Sequence, residues 1–241
     1  VSIDFTKYPK PRTRRHVSPN LYLPKDRINV TLSHYPPLLP SLDWRDIFTN
    51  GQPPDYLDVG CGMGGFLLET ALGDPARNIL GLEVRDYAAA WVADVIAGER
   101  PRGVLGNAAC LWYSVANGLP FVGDSSLEKI FYFFPDPWFK KRHHYRRAFT
   151  LDFVRECWRT LKPTGELFLM TDVPAVDEYQ RATLAAHGGF SVELCRDDET
   201  WGLTARTDQE KFSLRKNIPY TRLRCRRAPL KNAVDKPFSN C

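Results

Sequence analysis

The chain has 241 residues, of which 43% are hydrophobic and 25% charged, enough to bury one sizeable core; a single α/β domain is the default at this size. No apolar run approaches the roughly 20 residues of a membrane helix, and the N-terminal VSIDFTKYPKPRTRRH lacks a secretory hydrophobic stretch, so the expectation is a soluble, intracellular protein, most simply cytoplasmic. The net charge of +5 is unevenly spread: residues 1–16 carry +4, residues 139–147 carry +5 and residues 211–231 carry +8, leaving −12 for the remainder. An acidic body with three basic segments points to a polyanionic partner held at particular places, since Lys and Arg release counterions when they meet phosphates.

In chain order, residues 1–50 read as a basic, Pro-rich arm with one short helix candidate in SLDWRDIF, where Ser41 is placed to cap the first turn. Residues 51–228 read as the catalytic domain and 229–241 as a tail. Strand candidates are DYLDV, NILGLEV, GVLGN, LEKIFYFF, GELFLMT, FSVELC and YTRLRC, with helices expected near 64–72, 86–98, 109–117, 148–161 and 174–187. Leu161-Lys162-Pro163-Thr164-Gly165 reads as a loop joining a helix to a strand. This alternation predicts an α/β fold with a doubly wound, seven-stranded, mostly parallel sheet whose two last strands form a hairpin-like edge. The six cysteines lack metal-ligand spacing and read as buried, reduced thiols.

The segment LDVGCGMGG runs from a strand into a helix. Gly60, Gly62 and Gly65 satisfy the dinucleotide pattern GxGxxG, while Gly60, Gly62 and Gly64 satisfy the GxGxG of methyltransferases, so the loop alone leaves both open. Glu83, ending the second strand, suits a ribose diol in either cofactor class. Asp58 is more telling, because a carboxylate there repels a pyrophosphate but attracts the sulfonium or ammonium of S-adenosylmethionine. Gly106-Asn107-Ala108 is read as the next strand terminus, where the Asn107 amide is placed to meet an adenine edge.

After the fourth strand comes FPDPWFKKRHH. Pro135 and Pro137 bracket Asp136 and restrict its backbone, presenting the carboxylate with little freedom. Trp138 suits a base-stacking role, a pocket wall or core packing, and the His143-His144 pair fits an RNA-facing surface better than a metal site. Here the chain resembles the tRNA (guanine-N7-)-methyltransferase family over most of residues 50–225. LDVGCGMGG, LGLEV, the Gly106-Asn107-Ala108 turn, FPDPWFKKRHHYRR, LKPTGELFLMTD and the basic C-terminal strand occur in the family's order.

The resemblance implies a class I methyltransferase fold, S-adenosylmethionine as cofactor with S-adenosylhomocysteine as product, no metal, and a variable-loop guanosine of tRNA as substrate. It implies a cofactor site including Gly60, Glu83, Val84, Arg85, Asn107, Ala108 and Phe133, with Asp136 as the acidic residue of the catalytic site. Lys140 and Asp172 are implied as substrate contacts, Arg142 and Arg146 being read beside them as RNA-binding charges of the basic run. A late loop is implied to close the site. Thr207, Asp208 and Gln209 align with the eukaryotic-type Thr-Glu-Glu, and Lys211-Phe212 with the bacterial TKFE is the competing register. Many bacterial members carry Glu where Asp58 stands and Asp where Asn107 stands. The readings from other classes are a nicotinamide-dependent oxidoreductase, for which no separate substrate domain is left in the chain, and an RNA-binding module with a vestigial pocket.

Overall fold

Short apolar runs bounded by Gly and Pro pair laterally here, while the longer amphipathic stretches between them coil and cover the paired strands. The computed structural model describes residues 2–12, 18–28 and 34–230. Strands β1 (Tyr56–Val59), β2 (Ile79–Glu83), β3 (Ala108–Trp112), β4 (Leu127–Phe133), β5 (Leu161–Thr171), β6 (Phe190–Leu194) and β7 (Thr221–Arg227) form one sheet in the order β3-β2-β1-β4-β5-β7-β6. The first five pair in parallel, and β7 lies antiparallel between β5 and β6. The expected seven-stranded, doubly wound sheet is therefore present, with its edge built by inserting the last strand rather than adding it outermost.

Helices α2 (Gly65–Gly73) and α3 (Asp86–Glu99), with the short α6 (Asp198–Trp201), cover one face; α1 (Trp44–Ile47), α4 (Leu151–Thr160) and α5 (Pro174–His187) cover the other. Strand side chains alternate between the two cores, as a period of two requires. Leu57 and Val59 of β1, Ile130 and Tyr132 of β4, and Leu167 and Leu169 of β5 join the α4/α5 side, whereas Tyr56, Phe131 and Phe168 join the α2/α3 side. Burial of both faces explains why these strands read as near-continuous apolar runs. No helix among the described residues is long and apolar enough to cross a membrane.

Three local expectations are corrected. α1 begins at Trp44 and is capped by Asp43, whose carboxylate accepts the Arg45 N–H at 3.0 Å, so Ser41 is not the cap. Strand β3 is Ala108–Trp112, where the sequence predicts a helix, and GVLGN precedes it as a turn. Alanine favours helices, but Ala108-Ala109-Cys110-Leu111 is a fully apolar run docked beside β2, and tertiary pairing outweighs propensity. Finally, Leu161 already pairs with Leu127, and the register shifts before Glu166 pairs with Lys129, so Lys162–Gly165 form a bulge within β5. Cys110, Cys157, Cys195 and Cys225 are buried free thiols and Cys61 a half-buried one; Cys241 and the tail beyond residue 230 lie outside the described residues.

Candidate active site

β1 delivers the chain into a turn in which Gly60 has φ +76° and Gly64 φ +71°, left-handed values that strain any side chain. A Cβ at Gly60 would meet nothing within 4 Å and project into open space, while one at Gly64 would sit 2.8 Å from Val92 of α3. The loop is thus open on its ligand side and tightly packed behind. Glu83 at the end of β2 is 2% exposed. Its carboxylate accepts the Gly62 N–H at 2.8 Å, the Arg85 N–H at 2.9 Å and the Arg85 Nε at 2.8 Å, tying the glycine loop to β2. Asp58 shares the α2/α3 face with Tyr56. It is buried, its Oδ2 has no hydrogen-bond partner, and burial, reinforced by the charge of Glu83, pushes its carboxyl up to about 8.

Gly60, Glu83, Val84 and Arg85 line a cleft of about 780 Å³ at the carboxyl ends of the strands, where open α/β sheets collect ligands. Phe133, Asp136, Lys140 and Arg146 line the same cleft, so the glycine-loop and PDPW regions meet in one cavity. Asn107 does not. It lies before β3, at the opposite end of the sheet, with its amide donating to the carbonyls of Ala71, Asp74 and Arg77 at 3.0, 3.1 and 2.9 Å. Ala108 is the first residue of β3 and belongs to the core. Both expectations fall with the misplaced strand; Ser114 and Val115, beyond the true end of β3, line the cleft instead.

The Asp136 loop leaves β4 through two non-glycine residues in left-handed conformation, Phe134 at φ +46° and Trp138 at φ +44°, a strained shape that the flanking contacts must hold. Phe134 donates its N–H to the Met170 carbonyl at 2.8 Å, and Arg147 donates to the Pro137 carbonyl at 3.1 Å. Trp138 proves to be a cleft wall, with the Arg146 guanidinium 5.1 Å from its ring and His143 in edge contact. Burial, with Arg146 and Arg142 nearby, lowers the pKa of His143. Asp136 is exposed, and its Oδ2 accepts the Tyr22 hydroxyl at 2.6 Å. Sequence reasoning missed Tyr22; its one signal was the apolar run Leu21-Tyr22-Leu23 inside a charged arm.

Asp172, Thr207, Asp208 and Gln209 gather beside the glycine loop without lining the cleft. Helix α7 (Asp208–Lys216) is capped by Thr207, whose hydroxyl accepts the Glu210 N–H at 2.9 Å. Gln209 donates to Asp172 at 3.2 Å, and the Asp208 carboxylate fills the space a side chain at Gly65 would need. Lys211 bridges to Glu69 of α2 at 2.5 Å, fastening α7 across the start of that helix. Arg142 is exposed and lies outside the cleft lining. The third basic segment is largely internal in its pairing: Arg222 bonds Glu210 and Asp198, Arg224 bonds Glu166, and Arg226 forms ion pairs with Glu166 and Glu193. Arg14 and Arg15 of the first segment lie outside the described residues.

The family model described as "Putative methyltransferase" matches residues 52–215. A curated tRNA (guanine-N(7)-)-methyltransferase of Thermosynechococcus vestitus is 34% identical over 199 residues, spanning 80% of this chain and 90% of its own length. A protein of the same name from Anopheles gambiae is 32% identical over 160 residues, 64% of this chain and 68% of its own. Among solved structures, the 16S rRNA methyltransferase KamB matches with a TM-score of 0.54 at 18% identity, covering 77% of this chain and 91% of KamB, a likeness of fold alone.

Proposed function

The chain belongs to the tRNA (guanine-N7-)-methyltransferase family, and we propose that it transfers a methyl group from S-adenosylmethionine to N7 of a variable-loop guanosine in tRNA, with residues 51–228 as the catalytic unit. The observation that carries this reading is the single cleft that joins Gly60 and Glu83 to Asp136 and Trp138 and is edged by Lys140 and Arg146. The residues fit the cofactor: Asp58 has an unpartnered buried carboxylate oxygen for an ammonium, and Gly60 leaves room for close approach. Glu83 is the acid for the ribose, with Arg85 and Val84 beside it, while Ser114 and Val115 replace Asn107 and Ala108 at the third strand end. Thr207, Asp208, Gln209 and Asp172 form the closing side.

S-adenosylmethionine, when bound, supplies an electrophilic methyl. Guanine N7 carries an in-plane lone pair free at neutral pH, so the chain has no proton to remove from it and acts through alignment and charge. The N7/O6 edge offers only acceptors, so Asp136 cannot bond to it; the acid holds donor groups of the base and offsets the positive charge that appears on the ring. Incubating the protein with unmodified tRNA and mapping the modified nucleoside tests the reading. It requires 7-methylguanosine; RNA binding without methyl transfer would favour a vestigial pocket, and a methyl on another atom would overturn the assignment of N7.

Two expected results follow from the charges. Because Asp58 titrates near 8 when folded and near 4 when unfolded, the native state holds a proton there that the unfolded chain has shed, and this carboxyl subtracts stability as pH rises through that window. A cationic amine reverses the preference and expels the proton, so affinity for S-adenosylhomocysteine should tighten up to about tenfold per unit between roughly pH 6 and 8 and level off above. Calorimetry in buffers of different ionisation heat reads the proton release; a flat affinity with no release removes Asp58 from this role, and Asp58→Asn should produce that flat profile. Replacing Lys140, Arg142 and Arg146 by Gln should flatten the salt dependence of tRNA binding by roughly one unit of slope for each phosphate that is no longer neutralised, with cofactor affinity nearly kept. An unchanged slope would show that these cations only solvate the surface.

A further inference from the structure

We propose that Tyr22 is a positioning residue for Asp136 and that the segment carrying it straps the two sides of the cleft together; the inference rests on the role given to Asp136 above. On the side of β3, the strap is built in. The turn Pro19–Tyr22 buries Leu21, and the Leu21 carbonyl accepts the Ser114 hydroxyl at 2.8 Å. Lys25 donates its N–H to Asn117 at 2.8 Å, and Tyr35 donates its hydroxyl to the Leu23 carbonyl at 2.6 Å while accepting from the Asn117 amide at 2.9 Å. Ser114 and Asn117 belong to the turn that follows β3, so these bonds fix the strap to the cofactor side.

On the other side, Tyr22 reaches the PDPW loop. Its hydroxyl lies 2.6 Å from Asp136 Oδ2 and its ring meets Trp138 edge-on at 5.3 Å between centroids. Among the described residues, the Tyr22 hydroxyl is the one hydrogen-bond partner of the Asp136 side chain. The prolines restrain the backbone of Asp136 but leave its χ angles free. A charge-assisted bond to one carboxylate oxygen removes that freedom and leaves the other oxygen for the base. Burial and the neighbouring Asp136 charge raise the pKa of Tyr22 far above its usual value, so it remains a donor throughout the working range.

Single-turnover methylation of tRNA by the full chain tests this with Tyr22→Phe, Asp136→Asn and the double variant. Tyr22→Phe keeps the ring and its packing, so its melting temperature and its affinities for S-adenosylhomocysteine and tRNA should stay near wild type while the rate falls about tenfold. Because Tyr22 acts through Asp136, the double variant should be no more than about twofold slower than Asp136→Asn alone, where independent residues would multiply their losses. An unchanged or faster rate for Tyr22→Phe, or multiplied losses in the double variant, overturns the positioning role while leaving Asp136 in place. A near-wild-type Asp136→Asn overturns the underlying reading and this inference with it.

Discussion

Asp136→Asn should lower single-turnover methylation about 10²- to 10³-fold, the loss of roughly 3 to 4 kcal/mol typical of one well-placed electrostatic contact. The substitution keeps the side chain's size, the restraints from Pro135 and Pro137 and an oxygen that still accepts from Tyr22; only the charge goes. Folding should barely change, because Asp136 is exposed at the cleft and contributes nothing to either core. Asp136→Ala should be at least as damaging, since it also deletes the bond to Tyr22 and the one proposed to the base. At saturating cofactor, where the titration of Asp58 no longer matters, the wild-type rate should show no ascending limb of a general base near neutral pH. A folded Asp136→Asn protein with near-wild-type turnover would remove the acid from the chemistry, and a collapsed melting temperature would make it a structural turn.

The largest expected loss of stability lies at Glu210→Ala. Glu210 is fully buried, and Oε1 accepts from Arg222, itself 7% exposed, at 2.6 Å and from the Tyr220 hydroxyl at 3.1 Å. Its Oε2 and the Arg222 Nε are buried without partners, so the pair is already costly to hold out of water. Removing the carboxylate leaves a buried guanidinium with Asp198, whose side chain is largely exposed, as its anionic partner and the Tyr220 hydroxyl, at 3.0 Å, as a neutral one. Breaking such a pair costs about 3 to 5 kcal/mol, which for a chain of this size lowers the melting temperature by roughly 2 to 4 °C per kcal/mol. Glu210→Gln, which retains a hydrogen bond, should lose less, and replacing both partners by apolar residues of similar volume should recover most of the loss. A fall of under about 2 °C for Glu210→Ala would mean that Asp198, the Tyr220 hydroxyl and water suffice for Arg222.

What the sequence made legible was whatever lies in local order. The apolar runs of β1, β2, β4 and β5, the helix Pro174–His187, the glycine turn and the proline-bracketed Asp136 are all readable from a few consecutive residues. β3 escaped because its alanines carry a helical preference and its strand identity comes only from docking beside β2; Asn107 then slid from a buried bracket at the rear of the sheet to an imagined cofactor contact. The charges of β7 misled for a related reason. Arg222, Arg224 and Arg226 alternate with Leu223 and Cys225, and a tally along the chain cannot see that Glu210, Glu166 and Glu193 face them. The role of Tyr22 was not legible from its short apolar run alone, because its partner lies 114 residues away and no periodicity marks the arm.

The insertion of β7 between β5 and β6 governs the order in which the molecule can be assembled. Among the described residues β6 pairs only with β7, so after its synthesis it must wait while α6 and α7 are made before any of these strands can hold it. Through that interval the edge of β5 offers its unpaired backbone to any passing strand, the kind of surface on which nascent chains associate. Sheet completion is thus a late event whose long-range pairing makes it slow. Thr221–Arg227 seals both the open edge of β5 and the orphaned strand in one step.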